Sequence, residues 1–170
     1  MSIVVTADHP AVGLRTTNTG ASADSTTLSR ELAKALYRLP TSRSALLDEL
    51  VDVYMRCQKP GWDGYTAKPI TSQSYSSAKR FLALLPETMP LPEITPERDG
   101  ELALDWNPKR YWSLSVSFSN DGAISYAGIF GNKQSTSHGT EPFSETIPGV
   151  VFDLIERLTK AIRAELASSS

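Results

Sequence analysis

Between Leu91 and His138 the apolar residues recur at every second position, and this periodicity constrains the fold more than any other feature of the chain. Leu102, Leu104 and Trp106 fall on one side. Trp112, Leu114, Val116 and Phe118 follow on the next run, and Ile124 with Tyr126 on the one after. Strict alternation of this kind predicts an antiparallel sheet with one face buried and the other free. A slip of one residue would turn every aromatic to water, so the register is under strong constraint. Asp99-Gly100 and Asp121-Gly122 are turn pairs that tolerate positive φ and mark hairpin tips. Asn107-Pro108 and Gly131-Asn132 are read as the other two joins. The last strand is expected from Lys133 to His138, polar and rich in Ser and Thr, as suits a protected edge.

The opposite face of this meander carries short side chains: Ala103, Asp105, Ser113, Ser115, Ser117, Ser125, Ala127 and Ile129. Two readings follow. One is a solvated outer face. The other is a flat docking surface, since short side chains let a partner backbone approach and have little rotamer freedom to lose.

The flanking segments carry helical periodicity. Thr26 or Thr27 caps a first helix to Leu39, with Leu28, Leu32, Ala35, Leu36 and Leu39 as its stripe. Pro40 stops it. Thr41 or Ser42 caps a second, in which Leu46, Leu50, Val53, Tyr54 and Cys57 repeat the spacing. Thr71 caps a third, with Tyr75, Ala78, Phe81, Leu82 and Leu85 apolar. Beyond Pro148, Val151, Leu154, Ile155, Leu158, Ile162 and Leu166 predict a long amphipathic helix. The prediction is therefore an α+β fold: a meander of four to five strands packed with about four helices, one domain over 26–167. The last of these helices is expected to cover the apolar face of β-structure. Residues 1–25, low in aromatics and rich in Thr, Ser, Ala and Gly, are expected to be a tail.

The stretch KPGWDGYTAKPI, Lys59 to Ile70, is the densest turn segment. Trp62, Asp63 and Tyr65 would be carried on a rigid loop. They make either a recognition element or a plug, with the Trp62 indole bonded to a carbonyl. Arg30, Lys34 and Arg38, with Arg43 just beyond, form a basic helical stripe. It is either a solvated face or a weak phosphate-tracking one.

GWDGYTAKPI, a helix ending in FLALLP, PEI, and the hairpins DGELALDW and DGAISYAG together resemble a group of small bacterial α+β proteins of unassigned function. In that group a W-D-G-x-x-A-x-P-I stretch precedes a helix and a DG-x-x-L-x-W hairpin. The resemblance covers about Lys59 to Leu158. It implies an α+β fold and a bacterial or phage-derived setting, and it brings no activity.

Motifs of chemistry are absent. Two histidines, His9 and His138, and one cysteine, Cys57, give no zinc spacing and no disulfide framework. No glycine-rich phosphate loop follows a strand, and no G-x-S-x-G elbow appears. Catalytic residues, metal and cofactor are thus all assigned as none. A net charge of −2 argues against a dedicated nucleic-acid or membrane binder. No signal-peptide layout or span of ~18 apolar residues occurs, so a soluble, cytoplasmic protein is expected. The leading expectation is a non-enzymatic interaction module (adaptor, inhibitor or immunity-like subunit) whose partner is another protein. The alternatives are a small-ligand or sensor domain lined by Trp106, Trp112 and Tyr126, and a weak nucleic-acid binder using the basic stripe.

Overall fold

The computed structural model describes residues 42–168. The order is α1 (Arg43–Arg56), α2 (Ser72–Leu84), β1 (Glu93–Pro96), β2 (Leu102–Lys109), β3 (Trp112–Phe118), β4 (Ala123–Phe130), β5 (Thr136–Pro142) and α3 (Gly149–Ser168). The five strands form one antiparallel sheet in chain order, β1-β2-β3-β4-β5. The fold is α+β. Among the described residues there are three helices where about four were expected. The helix expected from Thr26 or Thr27 to Leu39 lies outside the described residues, as do the expected tail and the stripe residues Arg30, Lys34 and Arg38.

Each helix begins where its capping residue stands. The Ser42 hydroxyl accepts from the Ala45 N–H at 3.2 Å, and the Thr71 hydroxyl from the Ser74 N–H at 3.2 Å. Pro148 precedes α3, and its carbonyl accepts from Val151 and Phe152. The apolar stripes go inward: Leu46, Leu50, Val53 and Cys57 from α1; Ala78, Phe81 and Leu82 from α2, with Leu85 just beyond; Val151, Leu154, Ile155 and Leu158 from α3. They meet the alternating residues Ile94, Leu102, Leu104, Trp106, Leu114, Val116, Phe118, Ile124, Tyr126 and Phe130 in a single core. Phe81 is the centre of an aromatic cluster, 5.4 Å from Phe118 and 5.7 Å from Phe143 between ring centroids.

Three local expectations are corrected. The chain does not turn at Asn107-Pro108. β2 runs through it to Lys109 with a register shift after Trp106, and the reversal falls at Arg110-Tyr111, where Tyr111 has φ 61°. Proline has no N–H to give a ladder, and an irregular pairing step needs none there. β5 spans Thr136–Pro142, not Lys133 to His138. The Asn132 side chain accepts from the N–H groups of Gln134 and Ser135, which commits 133–135 to the turn. The C-terminal helix does not cover the sheet alone: α3 packs on β3 and β4, α2 on β2 and β3, and α1 against β1.

One buried hydroxyl pins the layers together. Ser74 is fully buried in α2, and its Oγ accepts from the Leu102 N–H at 2.7 Å, where β2 begins. Leaving that strand-end donor unpaired in the core would cost about 1–3 kcal/mol.

Candidate functional site

The turn segment after α1 is built as a knot of backbone bonds. Gly61 and Gly64 have φ 73° and 82°. The Gly61 N–H donates to Ala67 O and the Gly64 N–H to Gly61 O. Trp62 is half-buried against the core, and its indole N–H donates to Lys68 O at 2.8 Å. Asp63 Oδ1 accepts from the Tyr65 and Ala67 N–H groups at 2.8 and 3.2 Å. Its Oδ2 lies 3.1 Å from Arg98 Nε. The Tyr65 N–H, first, then Ala67 and the Arg98 charge hold this carboxyl below the usual aspartate range. The segment then ties to the β1–β2 hairpin: Lys68 N–H to Arg98 O, and Thr71 N–H to Gly100 O. A Cβ on Gly100 would stand 2.7 Å from Pro69 O, so the hairpin tip fits only glycine. Trp62 and Asp63 are therefore turned into the structure, in the plug arrangement. Tyr65 is 77% exposed, with the Arg98 guanidinium 5.7 Å from its ring centroid.

The outer face of the sheet is a grid of short side chains. One row crosses all five strands as Thr95, Ala103, Ser117, Ser125 and Thr140. The next runs Glu93, Asp105, Ser115, Ala127 and His138. Ser113 stands opposite Ile129 in a third. The buried residues of the strands lie almost wholly on the inner face, where the helices pack. Ala103 is the exception at 1% exposure: the Glu97 carboxylate reaches the Ser117 hydroxyl, its neighbour in the row. Polar groups of this face are bonded within the sheet plane. Thr95 Oγ1 donates to Asp105 Oδ2 at 2.6 Å, and the Ser125 and Thr140 hydroxyls lie 3.1 Å apart.

Charge is divided between the two ends of the strands. At the end holding the β1–β2 and β3–β4 hairpins stand Glu97, Asp99, Glu101 and Asp121. Glu97, Asp99 and Glu101 each place a carboxylate oxygen within 4.8 Å of the others. Burial, reinforced by these neighbours, pushes the Glu97 and Glu101 carboxyls up. The Ser119 hydroxyl and the Ala123 N–H hold Asp121 below the usual range. The three clustered carboxylates have the spacing of a hard-cation site, although exposed acids adopt it without an ion. The opposite end carries Lys109, Arg110 and Lys133. Sequence reading passed over this polarity. Its signal was the acidic E-R-D-G-E turn set against K-R in the next one.

The other residues singled out from sequence have structural partners. The Arg43 guanidinium donates to Leu82 O, Ala83 O and Leu85 O, closing the C-terminal end of α2. Trp106 is 3% exposed, its N–H bonded to Pro90 O at 2.8 Å. Tyr126 is buried, and Trp112 packs edge-on against Phe130 at 6.2 Å. These three aromatics fill the core region and line no common cavity. Cys57 is buried in that core, and burial pushes its thiol up, which suits an inert residue. His138 is exposed on the outer face, on the other side of the sheet from it. Among the described residues, no helix is long and apolar enough to cross a membrane.

Comparison with protein-family models, with curated proteins and with solved structures returns no match for this chain.

Proposed function

We propose that this protein is a non-enzymatic protein–protein interaction module that works through the outer face of its sheet, with Ser113, Ser115, Ser117, Ser125 and Ala127 at the centre of the contact. One observation carries the reading. The helices pack on one side of a five-stranded sheet, and the side left open is flat, short-chained and nearly free of long charged residues. Solvated sheet faces ordinarily carry such residues, whereas a docking face benefits from a small entropy cost and close backbone approach. The Trp62 loop is the weaker candidate, because Trp62 and Asp63 have their hydrogen-bonding groups engaged within the chain. Tyr65 would be its one free anchor. The resemblance of GWDGYTAKPI and its following hairpins supports a bacterial or phage-derived setting, and the cytoplasm is the compartment that suits a lone thiol.

A photo-cross-linking side chain placed at Ser115, and separately at Tyr65, distinguishes the two surfaces in cells that express the protein. The reading predicts strong protein adducts from position 115 and weak ones from 65. Adducts from 65 with none from 115 would move the function to the loop.

A further inference from the structure

The open sheet face has a built-in direction, and that direction specifies an occupant. Both hairpins at one end are acidic, with Glu97, Asp99 and Glu101 on the first and Asp121 on the second. Lys68 lies beside the first tip and offsets part of this charge, and Arg98 is engaged by Asp63. At the other end Arg110, on the β2–β3 hairpin, and Lys133, after β4, are exposed cations; Lys109 is paired with Glu165. Resting on the interaction-module reading above, we propose that the occupant of the face is a second copy of this chain. The two sheets pack outer face to outer face about a two-fold axis running across the strands.

The symmetry follows from the charges. Two copies meeting face to face are related by a two-fold axis in the plane of contact, and each presents the same patch. An axis along the strands would stack acidic end on acidic end. An axis across the strands reverses their direction but keeps their order. The Arg110 hairpin of one copy then lies about one strand spacing, ~4.8 Å, from the β1–β2 tip of the other. Lys133 lies at the same offset from the Asp121 tip. Each pairing occurs twice. Covering the face also leaves few hydroxyls stranded, because Thr95 with Asp105, Ser117 with Glu97, and Ser125 with Thr140 already bond within the plane. Five strands at ~4.8 Å and about seven residues at ~3.4 Å give a face of roughly 600 Å² per copy. About 1,200 Å² in total is the lower bound for a specific interface, so the dimer is weak and leans on its charged ends.

Analytical ultracentrifugation of the full chain tests this. Association that depends on concentration is expected at low salt, with dissociation as ~0.5 M salt screens the ends. Ser115→Arg should abolish it. An all-acidic variant, Arg110→Glu with Lys133→Glu, should self-associate at least tenfold more weakly. So should one with a basic first tip, Glu97→Gln, Asp99→Asn and Glu101→Lys, in which Asn keeps the oxygen the turn uses. Mixed in equal amounts, these two variants should recover a heterodimer, since each now complements the other. Circular dichroism checks that both fold. If the triple variant does not fold, Glu101→Lys alone takes its place in the mixture. A wild-type chain that stays monomeric at every concentration in low salt overturns the dimer, as does a dimer that survives Ser115→Arg or a mixture that fails to associate. The interaction-module reading is judged separately: adducts from position 115 to a different protein would leave it standing without the second copy.

Discussion

Trp62 shows how a single residue changes meaning between sequence and structure. In the string GWDGY it reads equally as an anchor for a partner and as a plug. The bond from its indole N–H to Lys68 O, together with its contact with the core, gives it a structural task. Trp62→Ala should therefore destabilise the fold by about 2–4 kcal/mol, somewhat below a fully buried tryptophan. Urea unfolding measures this, and an unchanged midpoint would return Trp62 to the recognition role. A second prediction concerns Glu97 and Glu101. Burial raises both carboxyls, so in the folded state they hold protons more tightly than in the unfolded chain. Between the ordinary glutamate value and the raised one, the native state carries more protons, and stability falls as pH rises through that window. Asp63 and Asp121 act in the opposite sense: their depressed values give stability that is present at neutral pH and lost as pH falls through the folded value. Glu97→Gln should accordingly raise the melting temperature at pH ~7 and lose that advantage near pH ~4, below the ordinary glutamate value. A variant no more stable than wild type at neutral pH would mean that the Ser117 bond outweighs the burial cost.

At the scale of elements, the inner face was legible because period-two alternation and helical stripes point to the same core. Leu102 through Phe118 alternate in sequence and are buried on one side in the structure, and Ser42 and Thr71 cap the helices that their positions predict. Leu114→Ala, at the centre of that face, should cost about 2–5 kcal/mol. A loss below about 1 kcal/mol in chemical denaturation would contradict its place in the core. What was not legible depends on contacts distant in sequence. Proline 108 reads as a turn by local rules, yet β2 passes through it because the pairing shifts register there. The start of β5 is set by the Asn132 side chain, whose reach over Gln134 and Ser135 no periodicity reveals. Gly128 is a further case. Its inner-face position, opposite Leu114, is filled by the Phe130 ring, 2.7 Å from where a Cβ would stand. The Arg43 bonds to the end of α2 span about forty residues, and local spacing placed that guanidinium in a surface stripe instead.

At the scale of the whole molecule, the described residues form two layers, and the sheet is covered from one side. The one-sidedness was readable as alternation, but whether the short-chained side was solvated, covered by helix or bent over itself depended on where every helix went. The arrangement makes a sharp contrast testable within a single face. Ser115 and Ala127 are neighbours in one row, while Ala103 stands in the next and is 1% exposed beneath the reach of Glu97 to Ser117. An arginine at 115 or 127 extends into open space and should leave monomer stability within about 0.5 kcal/mol of wild type. An arginine at 103 must displace the Glu97 carboxylate and break its bond to Ser117. It gains a charge partner there but overfills a closed site, for which a cost of about 1–3 kcal/mol is expected. Thermal and chemical denaturation of the three variants at low protein concentration decides the matter, since dilution removes any contribution from association. If Ser115→Arg melted as early as Ala103→Arg, the centre of the face would be covered within the chain itself, and no docking surface would remain there.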